Sequence, residues 1–256
     1  MSHDTMSAAA LAAEDTLDAS ERIWLVGLAH LSDAPSSPRP SSAEVEELLG
    51  MAQRLTQFPA GPVAYVPGGF EQTATEDYRL VQLVVPAQPH LRMRVGVGAD
   101  GFIGVALTRS GVAADGSQRP HAVLVADAES VLADTYTLAV TSAVRLGYRG
   151  PIDVRFAVSG AGPGSRPEFF AIDPESGALV RTTARTTPLP PLRHRLEFTD
   201  SSTAAALHDD LVALAHRFAQ GVGASGPQLV AHSPSDHAVY DADPIGRAVH
   251  ETRGAH

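Results

Sequence analysis

The sequence predicts an α+β fold of antiparallel β meanders alternating with helices, in the order α-βββ-α-βββ-α, with the helices mainly on one face of the sheet. Three observations carry this. Several segments alternate apolar and polar residues with the period of a strand, and others repeat apolar residues with the period of a helix. Gly- and Pro-rich breaks separate the two kinds.

The elements follow in chain order. Residues 1–20 are Ala-, Ser- and acid-rich and read as a frayed or disordered start. The run ERIWLVGLAHL (21–31) holds the only tryptophan, and Trp24 is expected as a buried anchor. After the Pro/Ser linker 32–40, Ser41 and Glu44 have capping-box spacing before the stripe Val45, Leu48, Leu49, Ala52, Leu55. Pro59, Gly61 and Pro62 end that helix, and a short apolar run, 63–66, follows. Residues 79–85 (RLVQLVV) read as a strand.

The stretch LRMRVGVGADGFIGVALTR (91–109) contains a literal G-x-G-x-x-G at Gly96, Gly98 and Gly101. A dinucleotide loop needs a helix to open at the last glycine, so that its amides meet the pyrophosphate. Here a strand pattern follows instead, with Ile103, Val105 and Leu107 alternating against Phe102, Gly104 and Ala106. The stretch therefore reads as a β-hairpin closed by Ala99-Asp100-Gly101, with Gly101 left-handed. That loop pairs Val97 with Ile103, Val95 with Val105 and Met93 with Leu107, apolar against apolar throughout.

After a loop at 110–120 and a short strand at 121–125, Asp127 is the expected N-cap of a helix that stops at Gly147. The face opposite its apolar stripe is small and lightly charged, which predicts cover on more than one side. Residues 152–158 alternate cleanly as a strand, with Ile152, Val154, Phe156 and Val158 inward and Asp153 and Arg155 outward. Strands at 168–172 and 178–183 flank a turn at 173–177, and 193–198 reads as a further short strand. Asp200 is the expected cap of a last helix carrying Leu207, Leu211, Leu214, Ala215 and Phe218. The domain then spans 21–221, with two βββα units at 79–147 and 152–221, and residues 222–256 read as a disordered tail. In layout alone this order is similar to that of small bacterial secretion-type chaperones, with no family motif alongside.

Composition excludes several chemistries. The 256 residues include no cysteine, lysine or asparagine. Thiol catalysis, thiolate zinc sites, Schiff-base chemistry, a P-loop lysine and N-glycosylation all lose the residue they require. A net charge of −10 argues against nucleic acid as a partner, since that binding rests on phosphate neutralisation. No apolar run long enough to span a membrane and no secretory signal pattern is present, so a cytoplasmic location is expected.

The candidate ligand site is the second face of the hairpin. There Arg92, Arg94, Gly96 and Gly98 stand beside Gly104, Ala106 and Thr108. Two functions compete for this small-residue floor: packing of the 127–147 helix, which is favoured, or a groove whose guanidinium forks hold an acidic ligand. His208 and His216 share a helix face without a third ligand, and the tail group His232, Asp236, His237, Asp241, Asp243 and His250 lacks a fold to set its geometry. Neither predicts a metal site, and no cofactor is expected. Ser165 lacks a nucleophile elbow, and Asp153 and Glu168 lie on neighbouring expected strands that could bring them close as a carboxylate pair, with solvent exposure and pairing with Arg155 favoured over acid–base work. No catalytic residue emerges. The expectation is a non-catalytic module for a protein, a peptide or a small acidic ligand, with a homodimer possible. The alternative is a hydrolase- or transferase-type enzyme using Asp, Glu and His from separate strands.

Overall fold

The computed structural model describes residues 23–34, 39–53, 71–74, 78–85, 88–108, 121–160, 167–173, 175–182 and 191–230. The expected elements at 63–66 and the segments 1–20, 110–120 and 231–256, like Ser165, lie outside them. Within them, the elements run β1 (Ile23–Leu31), α1 (Ser42–Gln53), β2 (Glu71–Ala74), β3 (Tyr78–Val85), β4 (Gln88–Gly98), β5 (Phe102–Thr108) and β6 (Ala122–Leu124). There follow α2 (Val125–Arg145), β7 (Gly150–Gly160), β8 (Glu168–Ile172), β9 (Leu179–Arg181), β10 (Leu192–Phe198) and α3 (Ala204–Gly221).

Seven strands form one antiparallel sheet in the order β10-β7-β1-β5-β4-β3-β2, so the α+β class holds. The alternation differs from expectation in two ways. A strand precedes α1: β1 lies between β7 and β5, and its residues are buried on both faces except His30. Cover on both faces is why IWLVGLAHL shows no polar alternation that would mark it as a strand. The second meander also divides. β7 joins the large sheet, whereas β8 and β9 form a small sheet with β6, which runs parallel to β8.

The hairpin agrees residue by residue. Val97 pairs with Ile103, Val95 with Val105 and Met93 with Leu107, and Gly101 sits at φ 68°. A Cβ at Gly101 would come 2.9 Å from Leu31 Cβ. Gly101→Ala is therefore expected to cost about 1–2 kcal/mol, from the left-handed backbone with the contact added. The urea midpoint checks it, and an unchanged midpoint would refute the strain.

Helix ends show where local rules bend. Ser41 and Glu44 form a reciprocal capping box: the Ser41 amide donates to Glu44 Oε2 at 2.7 Å and the Glu44 amide to Ser41 Oγ at 3.3 Å. The two expected aspartate caps are corrected. Helix α2 starts from Leu124 without a side-chain cap, and Asp127 lies buried within its first turn. Helix α3 is capped by Thr203, whose Oγ1 accepts from the Ala206 amide at 3.2 Å. Asp200 instead pairs with Arg149 at 2.7 Å.

All three helices contribute to one core cluster, built on a single face of the large sheet. Every residue of α2 from Asp127 to Ala143 is buried, as its lightly charged back implied. Residues 222–230 dock on the core, with Val222 and Val230 buried and Leu229 packed against them.

Candidate functional site

The register sorts the large sheet into two faces. Met93, Val95, Val97, Ile103, Val105 and Leu107 join the core cluster with α2. Arg92 opposite Thr108, Arg94 opposite Ala106, and Gly96 opposite Gly104 therefore share the other, outer face. The preferred reading of that floor, a seat for the 127–147 helix, is thus overturned, because the helix lies across the opposite face. The glycine that admits it is Gly27 of β1. A Cβ there would stand 2.0 Å from Thr135 Oγ1. A glycine inside an otherwise unbroken apolar strand was the available signal, since it often marks close approach of another element.

The outer face has its own apolar cluster: Trp24, Val26, Leu28, Leu80 and Ala106, with Tyr78 and Phe102 packed beside it. The guanidinium of Arg94 lies 4.8 Å from the Trp24 ring centroid, a cation–π contact. Arg94 and Trp24 are each only 1% exposed. The Trp24 Nε1 donor finds no acceptor. Of the four candidate residues, Arg94, Gly96 and Gly104 are buried and Arg92 is half-buried.

At the opposite end of this face the strands enclose an open depression of about 70 Å³, lined by Leu28, Ala29, His30, Phe102, Asp153 and Arg155. Pairing assembles it. β1 sets His30 between Phe102 and Asp153, and Leu28 between Gly104 and Arg155. β10 then places Arg193 directly opposite Arg155 and Arg195 opposite Asp153. Asp153 accepts from the Ser32 hydroxyl and from Arg195 at 3.4 Å, so its charge is already engaged. Arg155 and Arg193 thus stand directly opposite in the register, two like charges on one sheet face whose guanidinium forks suit an acidic group. None of the four expected residues lines the depression; Gly104 only pairs with Leu28, which does.

The alternation of one strand puts Asp153 and Arg155 outward, but no local pattern joins Asp153 to His30, 123 residues before it, or Arg155 to Phe102, 53 residues before it. The pairing of Asp153 with Glu168 does not form. β7 and β8 lie in different sheets, and Glu168 bonds Arg181 at 2.9 Å.

Two further polar clusters stand on the helix side. His194 Nε2 lies 2.7 Å from Asp210 Oδ2, and the buried Tyr136 hydroxyl donates to the same oxygen at 2.9 Å. This chain ties β10, α3 and α2 together. His208 is buried, and His216 on the same helix is half-buried. Among the described residues no three His, Cys, Asp or Glu side chains gather as metal ligands.

The second cluster centres on Glu129, which is 0% exposed. Its carboxylate accepts the backbone amides of Gln228 and Leu229 at 2.8 Å and of Val230 at 3.4 Å. Burial pushes its pKa up to about 7, against the opposing pull of those three amides.

No described helix is long and apolar enough to cross a membrane. Comparison with protein-family models, curated proteins and solved structures finds no match.

Proposed function

We propose that the chain is a non-catalytic binding module that receives an acidic ligand on the outer face of its large sheet. The observation that carries this reading is the depression in which Arg155 and His30 flank the apolar Leu28 and Phe102, with Arg193 directly opposite Arg155. A site that reads an acid needs guanidinium groups at its mouth and dry surface beside them, because a charge-assisted bond strengthens as water is excluded. At the Arg92–Arg94 end of the face Arg94 lies sealed over Trp24, so its guanidinium is not open to a ligand there.

The test is titration of the whole chain with acetate, succinate and triglutamate, followed by backbone amide shifts. The expected result is saturable movement of the amides of His30, Phe102, Asp153 and Arg155. Arg155→Ala is expected to weaken that binding about tenfold or more while leaving the melting temperature nearly unchanged, because the side chain is half exposed at the rim. Shifts confined to other regions, or none, would overturn the assignment.

A further inference from the structure

Resting on that reading, we infer that the depression selects one class of acid: a monoanionic carboxylate with an apolar group directly beside it. The argument comes from the order of residues across the sheet. One cross-strand row runs Arg193, Arg155, Leu28, Gly104, so charge gives way to hydrocarbon within one strand spacing. The adjacent row runs Arg195, Asp153, His30, Phe102, which places an aromatic ring on the same side as Leu28. A ligand whose acid group meets Arg155 therefore lays its next atoms against Leu28 and Phe102.

Charge balance argues against a polyanion. Asp153 lines the same depression, and Glu197 bonds Arg195 at 3.2 Å on the neighbouring strand, so the arginines do not act unopposed. A second or third negative charge on the ligand would face these carboxylates. Geometry favours the carboxylate again, because a guanidinium fork binds two coplanar oxygens. The volume of about 70 Å³ holds a head group and its immediate neighbour, with the rest of the ligand outside. Two sources share this chemistry: a free apolar acid, or the last residue of a peptide ending in an apolar side chain.

Calorimetry and amide shifts on the full chain separate the possibilities with defined probes: acetate, phenylacetate, phenylacetamide, inorganic phosphate, and acetyl-Ala-Ala-Phe with a free or an amidated C-terminus. Phenylacetate is expected to bind about tenfold or more tighter than acetate, through the burial of its ring, and phenylacetamide is expected to lose that binding. Arg155→Gln should abolish the preference for phenylacetate over phenylacetamide, and the native-chain probes carry the test should that variant fail to fold. A free acyl tripeptide bound about tenfold tighter than phenylacetate identifies a peptide C-terminus, and equal affinity identifies a small acid. Both results support the class. Phosphate binding tighter than phenylacetate at the same amides would overturn it and leave the acidic-ligand reading standing. Silence from every acid would remove both.

Discussion

Gly27→Ala is expected to be among the most damaging single-methyl additions in this protein, lowering the unfolding free energy by about 3 kcal/mol or more. In a strand, Gly to Ala ordinarily stabilises, because it removes backbone entropy from the unfolded chain. Here the new Cβ would stand 2.0 Å from Thr135 Oγ1 and 2.9 Å from Thr135 Cβ. The threonine cannot simply turn aside. It is fully buried, β-branched, and its hydroxyl donates to the Val131 carbonyl at 2.7 Å. Either α2 moves off the sheet or the rotamer and its bond are lost. Thr135→Ala removes the nearest atom, so the double variant should recover part of the loss, and a double-mutant cycle measures the coupling. Independent effects of the two substitutions, or a stabilised Gly27→Ala, would show that α2 is not seated on this glycine.

Removing the Glu129 carboxylate is the second large effect. Glu129→Ala leaves three backbone donors without their acceptor and is expected to cost about 3 kcal/mol. Amide exchange at 228–230 should rise well before the sheet opens, because these are the amides Glu129 holds. The pH dependence has a definite sign. The folded pKa of about 7 lies above the ordinary 4.5, so the folded state holds the proton more tightly across that window. The contribution to stability is full below pH 4.5, falls as the pH rises toward 7, and levels off above it. The whole change is roughly 3 kcal/mol, about 1.4 for each pH unit of separation. Urea midpoints of the native chain and Glu129→Gln from pH 4 to 8 test this. The difference between the two should shift in that direction, since the amide variant does not titrate. A native chain that gains stability through the same window would mean that the three amides outweigh burial.

The contrast between these two residues and the hairpin shows which statements a linear reading can reach. The hairpin was legible because strand alternation, glycine φ freedom and turn length are properties of nearby residues, and together they leave one register that matches apolar pairs. The α2 and α3 stripes were legible for the same reason. The absences also transferred without loss: a chain with no lysine or cysteine lacks their chemistry in any fold.

What the residues by themselves determined, then, is the α+β class, the helix and hairpin periods, the left-handed turn at Gly101, the burial of Trp24, and the placement of Arg92, Arg94, Gly96 and Gly104 on one face. Tertiary structure alone decided which face receives the helix. A two-residue period distinguishes the faces of a strand without saying what lies above either of them. It decided that β1 lies inside the sheet, since a strand covered on both sides loses the alternation that announces it. It joined Glu129 to amides 99 to 101 residues further along the chain, and His30 to Asp153 and Leu28 to Arg155 across a strand pair. Those contacts depend on long-range strand order and on burial, and neither is encoded within a window of neighbouring residues.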